Sequence, residues 1–197
     1  EAKLCEYVQN GGTLIATYTL ATVGENDLCH LGGIPGGKLK DVFGIWHEDT
    51  DSLPEGMKNE ATFGGKTYDV VHTCDVIHAT GAKVLGEYQH DFYAGMPAVT
   101  ENKFGNGTAY YVAFRNDEDF SQDFCEELIG KIGIEADTCI SAQAGVVIRK
   151  RGDVIFLMNF TDEDKKATLD VSYTDLLTGE SVCGEILVPS CGYVILK

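Results

Sequence analysis

Positive charge is scarce in this sequence: 15 Lys and Arg stand against 31 Asp and Glu in 197 residues, a formal net charge of −16 at pH 7. So acidic a surface repels phosphate backbones and anionic headgroups. Nucleic acid and membrane are therefore not expected partners, whereas an uncharged ligand such as a sugar, or another protein surface, is compatible with the charge. No apolar run approaches the roughly 20 residues a membrane helix needs, and no basic-then-apolar leader opens the sequence. The cysteines, Cys5, Cys29, Cys74, Cys125, Cys139, Cys183 and Cys191, lack any C-x-x-C pair and are irregularly spaced, which argues against a zinc ribbon and a disulfide framework. Most lie in apolar patterns such as Phe124-Cys125 and Val182-Cys183, where a thiol packs as a small hydrophobe, and a reducing cytoplasm is the expected location. There is no G-x-S-x-G elbow for a serine nucleophile and no thiol marked as a thiolate. Neither a cofactor nor a metal is expected. Two N-x-T matches, at Asn106 and Asn159, read as chance.

What the chain does hold is glycine, and GGIPGGKL (residues 32–39) imitates a phosphate loop. Gly32, Gly37 and Lys38 fit G-x-x-x-x-G-K, but Leu39 stands where a Ser or Thr hydroxyl would ligate magnesium. The polar GENDLCHL before it is no buried strand. The segment is therefore read as a glycine-rich turn.

The opening EAKLCEYVQNGG places Leu4 and Val8 on one helical face, stops at Asn10-Gly11-Gly12, and leads into the β-rich TLIATYTL. This has the form of the second half of a β-α-β unit, with an uncapped helix at residue 1, and it suggests a piece of a longer chain. KLKDVFGIW predicts a short helix running into a strand, and HEDTDSLPEGMKNE an acidic loop. TYDVVHTCDVIHA and AKVLGEY read as strands, and PAVTENKF-GNG-TAYYVAF as a hairpin turning at Asn106-Gly107. Phe120, Phe124, Leu128 and Ile132 recur every fourth residue in a helix that ends at Gly133. From about Gly145 the period becomes two, predicting a small antiparallel β-domain, with the boundary between residues 135 and 144.

Of the candidate sites, His72, Cys74 and His78 share a face if HTCDVIH is a regular strand, and packing is preferred to metal binding there. His30 and His47 flank the glycine-rich segment as loop residues. The carboxylate clusters Glu48/Asp49/Asp51, Asp117/Glu118/Asp119 and Asp162/Glu163/Asp164 read as solvated turns and helix starts. In GENDLCHLGG, Glu25, Asn26, Asp27 and His30 gather polar groups at the expected carboxyl end of the TLIATYTL strand, where α/β sheets place ligands. Packing at a loop or interface competes with that reading.

Taken together, NGGTLIATYTL, GENDLCHLGGIPGGKLKDVFGIWHEDTDSLP, CDVIHATGAKVLGEYQHDFYAGMPAVTENKFGNGTAYYVAF and DLLTGESVCGEILVPSCGYVIL resemble the C-terminal part of glycoside hydrolase family 42 β-galactosidases. The most specific stretches are ENDLCHLGG and DFYAGMPAVT. The resemblance implies an α/β fold: a flavodoxin-like or class I glutamine amidotransferase-like open sheet over residues 1–137, N-terminally truncated, that drives trimer formation. A small antiparallel β-domain over 138–197 would follow. It implies a non-catalytic fragment of a retaining enzyme whose two catalytic glutamates lie on a barrel absent here, so the catalytic residues in this chain are none. The barrel would take the β-galactoside, self-association would be the chain's own role, and Glu25, Asn26, Asp27 and His30 would lie near a subunit interface or a neighbouring substrate. A stand-alone amidotransferase-like binding module without catalysis is the alternative.

Overall fold

Helix α1 (Ala2–Gln9) forms where the apolar spacing predicts it, but Cys5 and Val8 are the residues it buries, while Leu4 stays 40% exposed. The computed structural model describes residues 1–116, 118–135 and 139–197, without the side chains of Asn116 and Glu118. Two compact units divide the chain, Glu1–Leu128 and Ile129–Lys197. The expected boundary at 137/138 lies outside the described residues, as does Asp117 of one carboxylate cluster.

In the first unit, α1 is followed by β1 (Thr13–Thr17), α2 (Leu39–Phe43), β2 (Ile45–Ser52), β3 (Asn59–Phe63), β4 (Lys66–Ala79), β5 (Lys83–Glu87), β6 (Pro97–Phe104), β7 (Gly107–Val112), β8 (Phe114–Asn116) and α3 (Glu118–Ile132). One sheet has the order β1-β7-β6-β5 and a second the order β2-β4-β3, with β8 also pairing to β4. Only the β1–β7 ladder is parallel among the described residues. The chain is thus mostly strand in small, largely antiparallel sheets. The helix-then-strand opening does yield a parallel pair, but β1 stops at Thr17, short of the apolar run, because Thr19 and Ala21 take left-handed φ of 59° and 48°.

HEDTDSLPEGMKNE is not a loop throughout. His47 to Ser52 lie in β2, paired to β4 with a bulge between His47 and Asp49. Polar side chains are tolerated there because Thr50 and Asp51 turn inward onto hydrogen-bond partners, Asp75 and Tyr93. The β6–β7 hairpin turns on Gly105-Asn106, one residue earlier than expected: Phe104 pairs with Gly107, and Gly105 supplies the left-handed φ of 59°. On α3, Phe120, Phe124 and Leu128 are buried as predicted, and Ile132 is exposed. The two phenylalanines join Phe63, Tyr68, Tyr110 and Phe114 in edge-to-face and stacked contacts, worth about 0.5–1.5 kcal/mol a pair beyond their area. The Tyr68 hydroxyl donates to Asp123 on α3 at 2.6 Å.

The second unit is antiparallel β, as its period-two sequence predicts. Strands β9 (Ile140–Ala142), β10 (Val146–Arg151), β11 (Val154–Asn159), β12 (Lys165–Thr174), β13 (Ser181–Val188) and β14 (Tyr193–Leu196) form two sheets, β10-β11-β14 and β13-β12-β9, around Ile155, Leu157, Leu169, Val188 and Leu196. Asn159, 1% exposed, fastens the unit: its Nδ2 donates to the carbonyls of Glu163, Val188 and Pro189, and its Oδ1 accepts from the Thr161 amide and hydroxyl. Asn159→Ala should cost about 2–3 kcal/mol, since a buried group robbed of its partner loses about 1–3 kcal/mol. Urea unfolding followed by circular dichroism measures it, and a change below about 0.5 kcal/mol would reject the role.

Candidate functional site

The loop between β1 and α2 carries the four residues singled out in the sequence. It folds back at a bridge between Val23 and Cys29, with the Gly24 amide on the Leu28 carbonyl at 2.8 Å and Asp27 in the left-handed region at φ 57°. Glu25, Asn26 and Asp27 are exposed at its tip, and His30 is half-buried. Their side chains make no hydrogen bond or ion pair with one another among the described residues. The apolar neighbours are more exposed than apolar residues usually are, Leu28 at 72% and Leu31 at 107%.

The glycine-rich turn gives His30 its place. Pro35 and Gly36 are buried, and a Cβ on Gly36 would lie 2.0 Å from the His30 ring. Leu39 is buried at the start of α2 instead of facing a ligand, and the Lys38 amide donates to Glu1. With no strand directly before it and an occupied amide at Lys38, this turn is a packing device and not an anion cradle.

A second cluster lies past the end of β1, gathered around a fully buried carboxylate. Asp75 on β4 is 0% exposed, yet it is charged and satisfied. Its Oδ2 accepts from the Thr19 amide at 2.7 Å and the Tyr111 hydroxyl at 2.6 Å, and its Oδ1 from the Thr50 hydroxyl at 2.9 Å, with His47 Nε2 3.4 Å away. The Thr50 oxygen stands 2.8 Å from His47 Nε2. Because Thr50 spends its only proton on Asp75, His47 donates from Nε2, and its buried Nδ1 is left without a partner. Burial pushes the Asp75 carboxyl up, but the hydrogen bonds from His47, Tyr111, Thr19 and Thr50 outweigh it and hold the group below its ordinary value. Aspartate, histidine and hydroxyl are all present, yet the hydroxyl points into the carboxylate. The arrangement pins β1, β2, β4 and β7 together and presents no nucleophile.

His47, expected as a loop residue, thus belongs to β2 and to this centre. The proposed alternation of His72, Cys74 and His78 fails at His72, whose φ of 63° breaks the strand's pleat. Cys74 is buried, His72 exposed, and His78 stacks flat on Trp46 at 4.5 Å with its Nε2 2.5 Å from Glu48. Among the described residues no group of three or more His, Cys, Asp or Glu is arranged to hold a metal ion. No helix there is long and apolar enough to cross a membrane.

All seven cysteines are free, but only Cys5 and Cys74 are buried; Cys125 and Cys183, expected to pack as hydrophobes, are exposed with Cys29, Cys139 and Cys191. Cys125 falls on the outer side of α3, one residue past the face that Phe124 buries. Burial pushes the Cys74 thiol up to about 11. A disulfide reagent at pH 8 should therefore titrate five thiols in the native chain and seven in guanidinium. A fast sixth native thiol would contradict the burial of Cys5 or Cys74.

The sequence model of the β-galactosidase trimerisation domain matches residues 1–135, and that of the β-galactosidase C-terminal domain residues 145–197. The chain is 42% identical to β-galactosidase Pbg of Clostridium perfringens over 99% of its own length and 30% of that protein's. It is 36% identical to β-galactosidase LacA of Lactobacillus acidophilus over 91% of its length and 27% of that protein's. The crystal structure of a β-galactosidase from Bacillus circulans sp. alkalophilus superposes with a TM-score of 0.90 at 37% identity, covering 99% of this chain and 30% of that one. The chain thus spans under a third of the length of these relatives.

Proposed function

Because this chain belongs to the glycoside hydrolase family 42 β-galactosidases, in their trimerisation and C-terminal domains, we propose that it is the non-catalytic assembly part of such an enzyme. Its task is to hold subunits together, with terminal β-galactosides hydrolysed by a catalytic barrel elsewhere in the whole protein. The observation that carries this reading is the consecutive match of both domain models over almost the entire chain, together with the small share of each relative that it covers. The Asp75 centre agrees with it, since its carboxylate is fully buried and the Thr50 hydroxyl beside it is spent on that carboxylate.

We assign residues 1–137 to the trimerisation-type domain and 138–197 to the C-terminal β-domain. A flavodoxin-like or amidotransferase-like ancestry for the first is supported by α1 packed beside the parallel β1–β7 pair. We place Glu25, Asn26, Asp27 and His30 at a subunit interface, because the loop tip displays Leu28 and Leu31 to solvent beside them. The cytoplasm suits seven unpaired cysteines. Sedimentation velocity and a nitrophenyl-galactoside assay on the purified chain test the function together: the expected result is a trimer without hydrolysis. Turnover by the pure chain would overturn the non-catalytic assignment, and a monomer at every concentration would overturn the assembly role.

A further inference from the structure

Trp46 is the only tryptophan of the chain, and it stands 39% exposed on the outward side of β2. An exposed apolar side chain needs no explanation of its own. What singles this one out is that its plane is fixed. His78, its partner across the β2–β4 ladder, lies flat against one face of the indole at 4.5 Å and an interplanar angle of 13°. Glu48 holds the imidazole in turn, 2.5 Å from its Nε2. Glu48 is also the residue left over in the bulge between His47 and Asp49, the device by which a strand re-aims a side chain.

The backbone under these side chains is held on both sides. The His47 amide donates to the Ile34 carbonyl at 2.7 Å, and the Gly44 carbonyl accepts from the amides of Thr80, Gly81 and Ala82. Polar capacity is left over at the rim. Among the described residues neither Trp46 Nε1 nor His78 Nδ1 makes a hydrogen bond. The Glu48 side chain is 52% exposed, and a carboxylate accepts more than the one bond it shares with His78. An aromatic plate edged by donors and a carboxylate is complementary to a neutral sugar ring, which is apolar on its C–H side and carries hydroxyls around its rim. The net charge of −16 turns anionic ligands away from the same surface.

We propose that Trp46, His78 and Glu48 form a binding site for the terminal galactose of a neutral β-galactoside, one that binds the sugar and breaks no bond in it. The sugar lies with its C–H side on the side of the indole turned away from His78. Galactose fits because its axial hydroxyl rises from one side of the ring and leaves the hydrogens of the other as a continuous apolar patch. Plate and patch then meet without burying a hydroxyl that would go unpaired. Glu48 accepts from hydroxyls at the rim, and such charge-assisted bonds are stronger than neutral ones. His78 is a positioning residue that keeps the indole in plane. The inference rests on the parent enzyme proposed above for its choice of sugar alone, and it gives the non-catalytic part a hold on what the barrel would cleave.

Because Trp46 is the only tryptophan, intrinsic fluorescence of the purified 197-residue chain reports on this site alone. Lactose and cellobiose are the probes, since they differ only in whether one hydroxyl of the terminal ring is axial or equatorial. Lactose is expected to give a saturable change with a Kd of about 1–10 mM, the weak end of the affinity scale, and cellobiose a Kd about fivefold higher or more. Glu48→Gln should raise the lactose Kd about tenfold, the worth of one hydrogen bond to a charged group, and His78→Ala should raise it by releasing the indole. Absence of a saturable change up to about 100 mM lactose overturns the site. So does an equal response to cellobiose, or an unchanged lactose Kd in Glu48→Gln. Each of these failures leaves the assembly role standing, because sedimentation tests that separately. Circular dichroism checks the fold of both variants, and should His78→Ala lose its fold, the exposed Glu48→Gln decides alone.

Discussion

Asp75→Ala should destabilise the chain by about 3–5 kcal/mol in urea unfolding at pH 7, a large part of the 5–15 kcal/mol that holds a domain folded. The change leaves the Tyr111 hydroxyl buried without an acceptor, at about 1–3 kcal/mol, and takes the acceptor from the part-buried Thr19 amide and Thr50 hydroxyl, which add less. Asp75→Asn keeps the shape but turns an amide NH2 onto one of those donors, so it should recover only part of the loss. The carboxyl is held below its unfolded value of about 3.9. Its contribution is therefore fully present above that pH and drains away as pH falls through the lower, folded value. Wild type should lose stability as pH drops below about 4, and Asp75→Asn should lose less over the same interval. A loss below about 1 kcal/mol for Asp75→Ala, or equal acid slopes for wild type and Asp75→Asn, would remove Asp75 from this role.

The second large effect is expected at Gly107, where β7 begins. A Cβ there would stand 2.1 Å from the Val8 carbonyl oxygen and 2.3 Å from that of Gly12, both backbone atoms at the joint between α1 and β1. Side chains can swing aside, but here the end of the helix must move off the sheet. Overpacking costs typically 1–3 kcal/mol, and Gly107→Ala should reach the upper end, about 3 kcal/mol. That corresponds to a fall in Tm of roughly 6–12 °C at 2–4 °C per kcal/mol. Gly81→Ala is the control: its Cβ would meet nothing within 4 Å, so its Tm should stay within about 2 °C. Equal Tm changes in the two variants would show that the contact at Gly107 relaxes freely.

The contrast between Gly107 and Asp75 separates what a sequence displays from what it conceals. Phe120, Phe124 and Leu128 announced α3 because one face of a helix must be apolar, and the alternation from Gly145 announced the second unit for the same reason in strands. The parallel pairing of β1 with β7 spans most of the first unit, and no local period encodes a partner so distant. Thr50 and Asp51 read as loop because polarity is the only local cue, whereas their inward direction depends on Asp75 and Tyr93, far away in the chain. One signal for the buried centre was present: in TCDVI a lone carboxylate interrupts an apolar strand, and such a residue must find donors or leave the core. The loop from Glu25 to His30 follows β1 in the chain, but the strand feeding it ends early, because Thr19 turns left-handed to reach Asp75.

Asn159 also bears on how this protein can be manufactured. It heads the triplet Asn159-Phe160-Thr161, which the oligosaccharide-transferring machinery of a eukaryotic secretory pathway reads on the growing chain before folding is complete. A sugar tree on that nitrogen would remove a donor that the folded second unit directs at the carbonyls of Glu163, Val188 and Pro189, and would have to pass through a site 1% exposed. A yeast or mammalian host exporting the chain should therefore yield a modified, misfolded fraction, whereas a bacterial host should yield one homogeneous product. Asn106, on the open hairpin turn, would carry the same modification without harm to the fold.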